Sequence, residues 1–95
     1  AADAGAFAVL LECIPAFVAA SITQALAVPT IGIGAGPHCD GQVLVFHDLV
    51  GLSFDRVPKF VRPYANVQKV IHEALVQWRS DVERGDFPGP KETLG

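Results

Sequence analysis

The sequence has little charge and no long hydrophobic run, and each of these absences excludes a class of protein. Only 18% of its 95 residues are charged and the formal net charge is −3, which indicates no basic surface for nucleic acid or an anionic membrane. Its apolar runs fall far short of the ~20 residues that a membrane-spanning helix needs. We therefore expect partners other than nucleic acid or a membrane. The 51% content of hydrophobic residues favours a folded chain over a disordered one.

Cysteine is scarce and methionine is absent. The two cysteines, Cys13 and Cys39, lie far apart and neither belongs to a CxxC pair. This usage predicts free thiols in an intracellular protein and argues against a disulfide framework or a zinc site. The sequence starts without methionine, and residues 1–6 resemble the end of a helix, with Gly5 in the position that follows a helix terminus. We expect the chain to be part of a larger domain.

The first half of the chain alternates between strand and helix patterns. The continuous apolar character of residues 6–12 predicts a strand that is buried on both faces, as in a parallel sheet. Pro15 suits the first turn of a helix over residues 15–27, and residues 28–33 form the next strand. The size of this unit is typical of a right-handed βαβ crossover.

The second half contains a third predicted strand, over residues 42–48, and one long helix. Residues 49–55 connect them to a short helix or turn, interrupted by proline, at residues 57–64. The long helix is predicted over residues 67–84, with Asn66 as its N-cap and an apolar stripe that places Trp78 in the core. Arg79 and Glu83 are predicted to form an i,i+4 pair on it. The helix should end at Gly85, before a tail formed by residues 86–95.

Alternating strands and helices predict an α/β fold, with a parallel sheet covered by helices. Three strands and two substantial helices are too few to close a barrel or to cover both faces of a sheet. The pattern therefore favours the last part of a larger α/β domain.

Glu12 ends the first predicted strand, where a charge is costly unless another group partners it. In parallel α/β folds, ligand chemistry lies at the carboxyl ends of strands. Two interpretations remain open from position alone. Glu12 is either a structural carboxylate bound to a nearby cation or backbone N–H, or a general base whose pKa is raised by partial burial.

The glycine-rich segment at residues 32–36 has the pattern GxGxG and not the dinucleotide fingerprint GxGxxG, since the next glycine is Gly41. No strong helix pattern opens directly behind it, as phosphate binding would need. A tight turn that brings the backbone close to another group is therefore favoured over a phosphate-binding loop.

Two further clusters contain reactive side chains. His38, Cys39 and Asp40 have metal-binding atoms, but three adjacent residues converge poorly on one ion, so we do not expect a zinc site there. His47 and Asp48 resemble half of a catalytic set without a nucleophile at a suitable spacing, which favours a structural role for His47.

Six segments of the sequence together carry a resemblance to a known family. They are LECIP at residues 11–15, IGIGAG at 31–36, DGQVLVFHD at 40–48, PKFV at 58–61, YAN at 64–66 and FPG at 87–89. In order and with matching gaps, they resemble the ketopantoate hydroxymethyltransferases (3-methyl-2-oxobutanoate hydroxymethyltransferases), and the resemblance covers nearly the whole chain.

The resemblance implies a (βα)8 TIM barrel of the phosphoenolpyruvate/pyruvate type, of which residues 1–95 supply about the last three βα units. It implies transfer of a hydroxymethyl group from 5,10-methylenetetrahydrofolate to 3-methyl-2-oxobutanoate, which gives ketopantoate for pantothenate and coenzyme A biosynthesis. In the family a Mg²⁺ ion chelates the 2-oxo acid and stabilises the enolate. The matching LECIP segment makes Glu12 the catalytic base that removes the C3 proton.

The resemblance also implies that several functional residues lie outside this chain. The family's acidic metal ligands and substrate-binding lysine belong to earlier strands, so these roles are not reassigned to Asp40, Asp48 or Lys59. The isolated chain is therefore expected to be inactive. Family members are ring-like homo-oligomers, and we expect a cytoplasmic location, or a mitochondrial one in a eukaryote. The alternatives are a small non-catalytic α/β binding or regulatory module and a related barrel lyase of the same superfamily.

Overall fold

A computed structural model describes residues 1–54 and 56–95 and contains one parallel sheet with short connections. Its strands follow one another in the order β1-β2-β3, which confirms the predicted α/β class with a parallel sheet. The elements are β1 (Val9–Glu12), α1 (Ala16–Ala25), β2 (Thr30–Ile33), β3 (Gly41–Gln42), α2 (Phe46–Leu49) and α3 (Val67–Glu83), with 3₁₀ turns at Ala2–Ala4 and Pro90–Glu92.

Strand β1 is shorter than residues 6–12 and is not buried on both faces, so this part of the prediction is wrong. It pairs with β2 from Val9↔Thr30 to Glu12↔Ile33, which uses every residue of β2. The side chains of β1 alternate in exposure, and that of Leu10 is 54% exposed. The apolar sequence indicated two covered faces, but no element of the described residues covers the face that presents Leu10.

Helix α1 begins and ends within two residues of the prediction. Pro15 lies at its N-cap, one position before the first helical turn. On the side facing the sheet, Ala19 is fully buried, and the Thr23 hydroxyl lies 2.8 Å from the Thr30 hydroxyl in β2. Small and β-branched side chains at these positions let the helix lie close to the strand.

Strand β3 stops after Gln42, so the strand predicted over residues 42–48 is wrong. The last bond of the ladder runs from the Val43 N–H to the Gly32 carbonyl oxygen, at 3.0 Å. Beyond this point β3 has no partner, because β2 ends at Ile33 and the chain turns at Gly34, where φ is 65°. Residues 46–49 instead form α2, so His47 and Asp48 lie on a short helix and not at a strand end.

The predicted connecting segment and proline-interrupted segment form turns in the part that the structure describes. Asp55, at the end of the connecting segment, lies outside the described residues. The Val61 N–H donates to the Pro58 carbonyl oxygen at 3.0 Å, and the Tyr64 N–H donates to the Leu49 carbonyl oxygen at 2.8 Å. Of the two predicted alternatives, helix or turn, the structure therefore supports the turn.

Helix α3 begins at the predicted residue and ends one residue before the predicted end, but its packing differs from the prediction. The Asn66 side chain accepts a hydrogen bond from the Lys69 N–H at 3.2 Å, and Gly85 follows the helix with a φ of 76°. The predicted i,i+4 pair also forms, with 3.0 Å between Arg79 Nε and Glu83 Oε1.

The apolar stripe of α3 is exposed, so the prediction that Trp78 is a core residue is wrong for this chain. The Trp78 side chain is 53% exposed, and its ring contacts Phe87 at a centroid distance of 6.2 Å. The stripe is exposed because no part of the described chain covers α3. None of the residues of α3 is buried, and the chain is elongated, with dimensions of 67 × 29 × 16 Å. Among residues 1–54 and 56–95, no helix is long and apolar enough to cross a membrane.

Candidate functional site at the carboxyl edge of the sheet

Glu12 lies at the carboxyl end of β1, on the edge of the sheet where the sequence predicts chemistry. It pairs with Ile33, and the following residue continues the ladder, since the Cys13 N–H donates to the Ile33 carbonyl oxygen at 2.9 Å. The backbone is thus held on both sides of Glu12, and its side chain is exposed. The ion pairs formed within the described residues do not involve Glu12.

Cys13 turns the chain away from the sheet immediately after Glu12. Its φ is 54°, in the left-handed region, where a non-glycine residue costs ~1–2 kcal/mol. The chain then reaches Pro15 and enters α1, so the strained residue sets the direction in which the main chain leaves the strand end. Cys13 and Cys39 are both free thiols, which confirms that part of the prediction.

The glycine-rich segment forms a turn whose backbone touches several parts of the chain. A Cβ atom on Gly34 would lie 2.7 Å from the Phe60 ring, and one on Gly36 would lie 2.5 Å from the Ala16 Cβ. Gly34 and Gly36 also have φ values of 65° and 81°. The predicted tight turn with a close backbone approach is confirmed.

In the cluster of His38, Cys39 and Asp40, the last two residues contact strand β2. Asp40 Oδ2 accepts a hydrogen bond from the Thr30 N–H at 2.8 Å, and the Cys39 side chain lies against the backbone of Gly32. Within the two described ranges, no three His, Cys, Asp or Glu side chains are grouped so that they could hold a metal ion.

His47 and Asp48 are not arranged as half of a catalytic set. The Asp48 carboxylate accepts a hydrogen bond from the Ser53 hydroxyl. The His47 ring stands edge-on to Phe46, with 6.1 Å between the ring centroids. Both residues therefore make contacts within or next to the α2 turn.

Sequence reasoning missed a cleft of about 780 Å³ beside the carboxyl ends of β2 and β3. It is lined by residues 33–34, 42–44, 49 and 59–64, and we name it the 59–64 cleft. Two cations, Lys59 and Arg62, and two aromatic residues, Phe60 and Tyr64, contribute to its wall. The interleaved basic and aromatic residues of KFVRPY at 59–64 are the sequence signal for it.

Comparison with known proteins gives several relatives with one shared name, 3-methyl-2-oxobutanoate hydroxymethyltransferase. The relative from Syntrophobacter fumaroxidans is 59% identical over 94 residues, which cover 99% of this chain and 33% of the relative. The relative from Moorella thermoacetica is 61% identical over 93 residues, which cover 97% of this chain and 34% of the relative. A rice relative, whose name adds "2, mitochondrial", is 56% identical over 95 residues, covering 96% of this chain and 24% of the relative.

The chain thus spans about a third of the length of the two bacterial relatives and a quarter of that of the rice relative. A family model described as ketopantoate hydroxymethyltransferase matches residues 1–90, which is nearly the whole of this chain. The chain therefore belongs to the ketopantoate hydroxymethyltransferase family.

Proposed function

We propose that the protein containing this chain transfers a hydroxymethyl group from 5,10-methylenetetrahydrofolate to 3-methyl-2-oxobutanoate, which gives ketopantoate, with Glu12 as the general base. The observation that carries the proposal is the position of Glu12 in a chain of this family, at the carboxyl edge of a parallel sheet. This edge is where parallel α/β enzymes place their chemistry. The names of the relatives support the reaction over a binding module or a lyase.

Glu12 is suited to the first step, in which its carboxylate removes the proton from C3 of the 2-oxo acid and leaves an enolate. Water breaks the two C–N bonds of the methylene bridge, which gives tetrahydrofolate and a one-carbon unit at the oxidation level of formaldehyde. C3 of the enolate adds to the carbon of this unit, and the resulting alkoxide takes up the proton that Glu12 removed, which gives the hydroxymethyl group. Two observations support this role, since the backbone on both sides of Glu12 is held by the strand ladder and the side chain is exposed.

Mg²⁺ is part of the proposal for the whole protein, but the residues of this chain do not fit a site for it. Asp40 is bonded to Thr30 and Asp48 is bonded to Ser53. The described residues also contain no group of three metal-binding side chains. We therefore derive no step through the ion and propose that its ligands lie in the part of the relatives that this chain does not match.

The proposed architecture of the whole protein is a (βα)8 barrel of the phosphoenolpyruvate/pyruvate type. The consecutive parallel order β1-β2-β3 supports it, because neighbouring strands of such a barrel follow one another along the chain. We further propose a ring-like homo-oligomer, located in the cytoplasm or, in a eukaryote, in mitochondria.

The experiment that tests the proposal compares Glu12→Gln with the unsubstituted full-length protein. The measurement is deuterium exchange at C3 of 3-methyl-2-oxobutanoate, followed by NMR in D₂O. Removing the general base should slow exchange by about 10² to 10⁴-fold. Glu83→Gln is the matched control, because Glu83 pairs with Arg79 on the exposed helix α3, and it should exchange at the unsubstituted rate. Equal exchange in Glu12→Gln and Glu83→Gln would refute the assignment of Glu12.

A further inference from the structure

The 59–64 cleft has a charge opposite to that of the chain. The chain has a formal net charge of −3, yet the described residues that line this cleft include Lys59 and Arg62 and no Asp or Glu. The cleft also lies at the same edge of the sheet as Glu12, since Ile33 lines it and pairs with Glu12. Two cations, with no acidic side chain among the described residues of the wall, favour an anionic ligand over a cationic one.

Arg62 is held in place by an aromatic neighbour. Its Nη1 donates to the Tyr64 hydroxyl at 3.2 Å, and its guanidinium carbon lies 5.9 Å from the centroid of the Tyr64 ring. Within the described residues its guanidinium forms no ion pair with a carboxylate. A guanidinium that is oriented but not neutralised retains donors for a planar anion such as a carboxylate.

Phe60 supplies an apolar surface next to these cations. Its ring lies directly on the backbone of Gly34, where a Cβ atom would approach it to 2.7 Å. The rings of Phe60 and Tyr64 are both partly exposed. A cleft of about 780 Å³ is of the size that small-molecule sites occupy, and it exceeds what inorganic phosphate or a short 2-oxo acid would fill.

We propose that the 59–64 cleft binds a carboxylic acid with a planar aromatic ring, with Lys59 and Arg62 facing the carboxylate and Phe60 and Tyr64 contacting the ring. The inference rests on the proposed function in one respect, since methylenetetrahydrofolate, one of the two proposed substrates, is an aromatic acid of this class. The cleft then holds the larger substrate at the same sheet edge as the proposed base.

The test is calorimetric titration of the full-length protein with N-(4-aminobenzoyl)-L-glutamate, an aromatic probe with two carboxylates. Glutamate, which lacks the ring, and 4-aminobenzamide, which lacks a carboxylate, should each bind at least tenfold more weakly. Lys59→Gln and Arg62→Gln should each weaken binding of the aromatic acid about tenfold or more, because each removes a charge-assisted hydrogen bond. Arg79→Gln, on the exposed face of α3, is the matched control and should bind with unchanged affinity.

Three results would overturn the inference: no binding of the aromatic acid, equal affinity for glutamate, or unchanged affinity in both Lys59→Gln and Arg62→Gln. Circular dichroism identifies a variant that fails to fold. Lys59 lies in an exposed turn, so Lys59→Gln keeps the test decisive if Arg62→Gln unfolds.

The two proposals fail separately. If the aromatic acid binds but deuterium exchange does not depend on Glu12, the proposed base is wrong and the cleft assignment stands. If exchange depends on Glu12 but the aromatic acid does not bind, the cleft assignment is wrong and the proposed function stands.

Discussion

Thr30 and Asp40 bind one another through reciprocal hydrogen bonds between backbone and side chain. The Thr30 N–H donates to Asp40 Oδ2 at 2.8 Å, and the Asp40 N–H donates to Thr30 Oγ1 at 3.2 Å. Thr30 is fully buried and begins β2, while Asp40 immediately precedes β3. The pair therefore joins the beginnings of two parallel strands that a short loop connects, and it leaves their carboxyl ends free for a site.

Replacing Asp40 with alanine should destabilise the protein by about 1–3 kcal/mol, because a buried Thr30 N–H loses its charged acceptor. Asp40→Asn, which retains an oxygen acceptor, should have a smaller effect. The measurement is the free energy of unfolding in urea.

Asp86→Ala is the control for the Asp40 variants. Asp86 pairs with Arg84 at 3.2 Å in an exposed position, where an ion pair contributes little. We expect a change within about 0.5 kcal/mol. If Asp40→Ala were no more destabilising than Asp86→Ala, the Thr30–Asp40 pair would have no special role in stability.

The stability of Cys13 variants should depend more on the backbone conformation that the new residue permits than on the size of its side chain. Since Cys13 has a φ of 54°, glycine should be tolerated best, asparagine next, and valine should destabilise by about 1–2 kcal/mol. Urea unfolding of Cys13→Gly, Cys13→Asn and Cys13→Val measures this order. A Cys13→Val protein as stable as Cys13→Gly would show that the left-handed conformation is absent in solution.

Gly34→Ala should be more destabilising than Gly85→Ala, although both glycines have a positive φ. The values are 65° and 76°, so the two substitutions introduce similar backbone strain. They differ in surroundings, because a Cβ atom on Gly34 meets the Phe60 ring at 2.7 Å, whereas one on Gly85 meets nothing within 4 Å. The expected excess is about 1–3 kcal/mol from overpacking, measured as the difference in the free energy of unfolding.

A double-mutant cycle identifies the cause of that excess. Phe60→Ala combined with Gly34→Ala should remove the part that comes from the ring, so that the two effects are not additive. Strictly additive effects would mean that Gly34 is needed only for its backbone conformation.

Sequence reasoning succeeded where the deciding interactions are local. Asn66 as a helix N-cap, Gly85 after the helix and the Arg79–Glu83 pair each depend on residues within four positions of one another, and the structure has all of them. The turn at residues 32–36 is equally local, because glycine permits the backbone conformation that Gly34 adopts.

Predictions failed where a distant partner decides the outcome. The alternating residues after Gln42 suit a strand, but β3 ends there because β2 offers no further backbone to bind. The cleft was missed for the same reason, since Phe60 meets Gly34 only through the fold. Glu12 is intermediate, because the sequence placed it at a strand end but its role remains a proposal.

The exposed stripe of α3 gives a last prediction, which uses the single tryptophan of the chain. Trp78 is 53% exposed and its ring has one described aromatic contact, with Phe87 at 6.2 Å. In the isolated 95-residue chain its fluorescence should therefore be readily quenched by acrylamide, and Phe87→Ala should increase the quenching constant. Phe7→Ala is the control, since Phe7 precedes β1 and should leave quenching unchanged. Resistance of Trp78 to acrylamide would show that the stripe is covered in solution, and dependence of that resistance on protein concentration would identify a second copy of the chain as the cover.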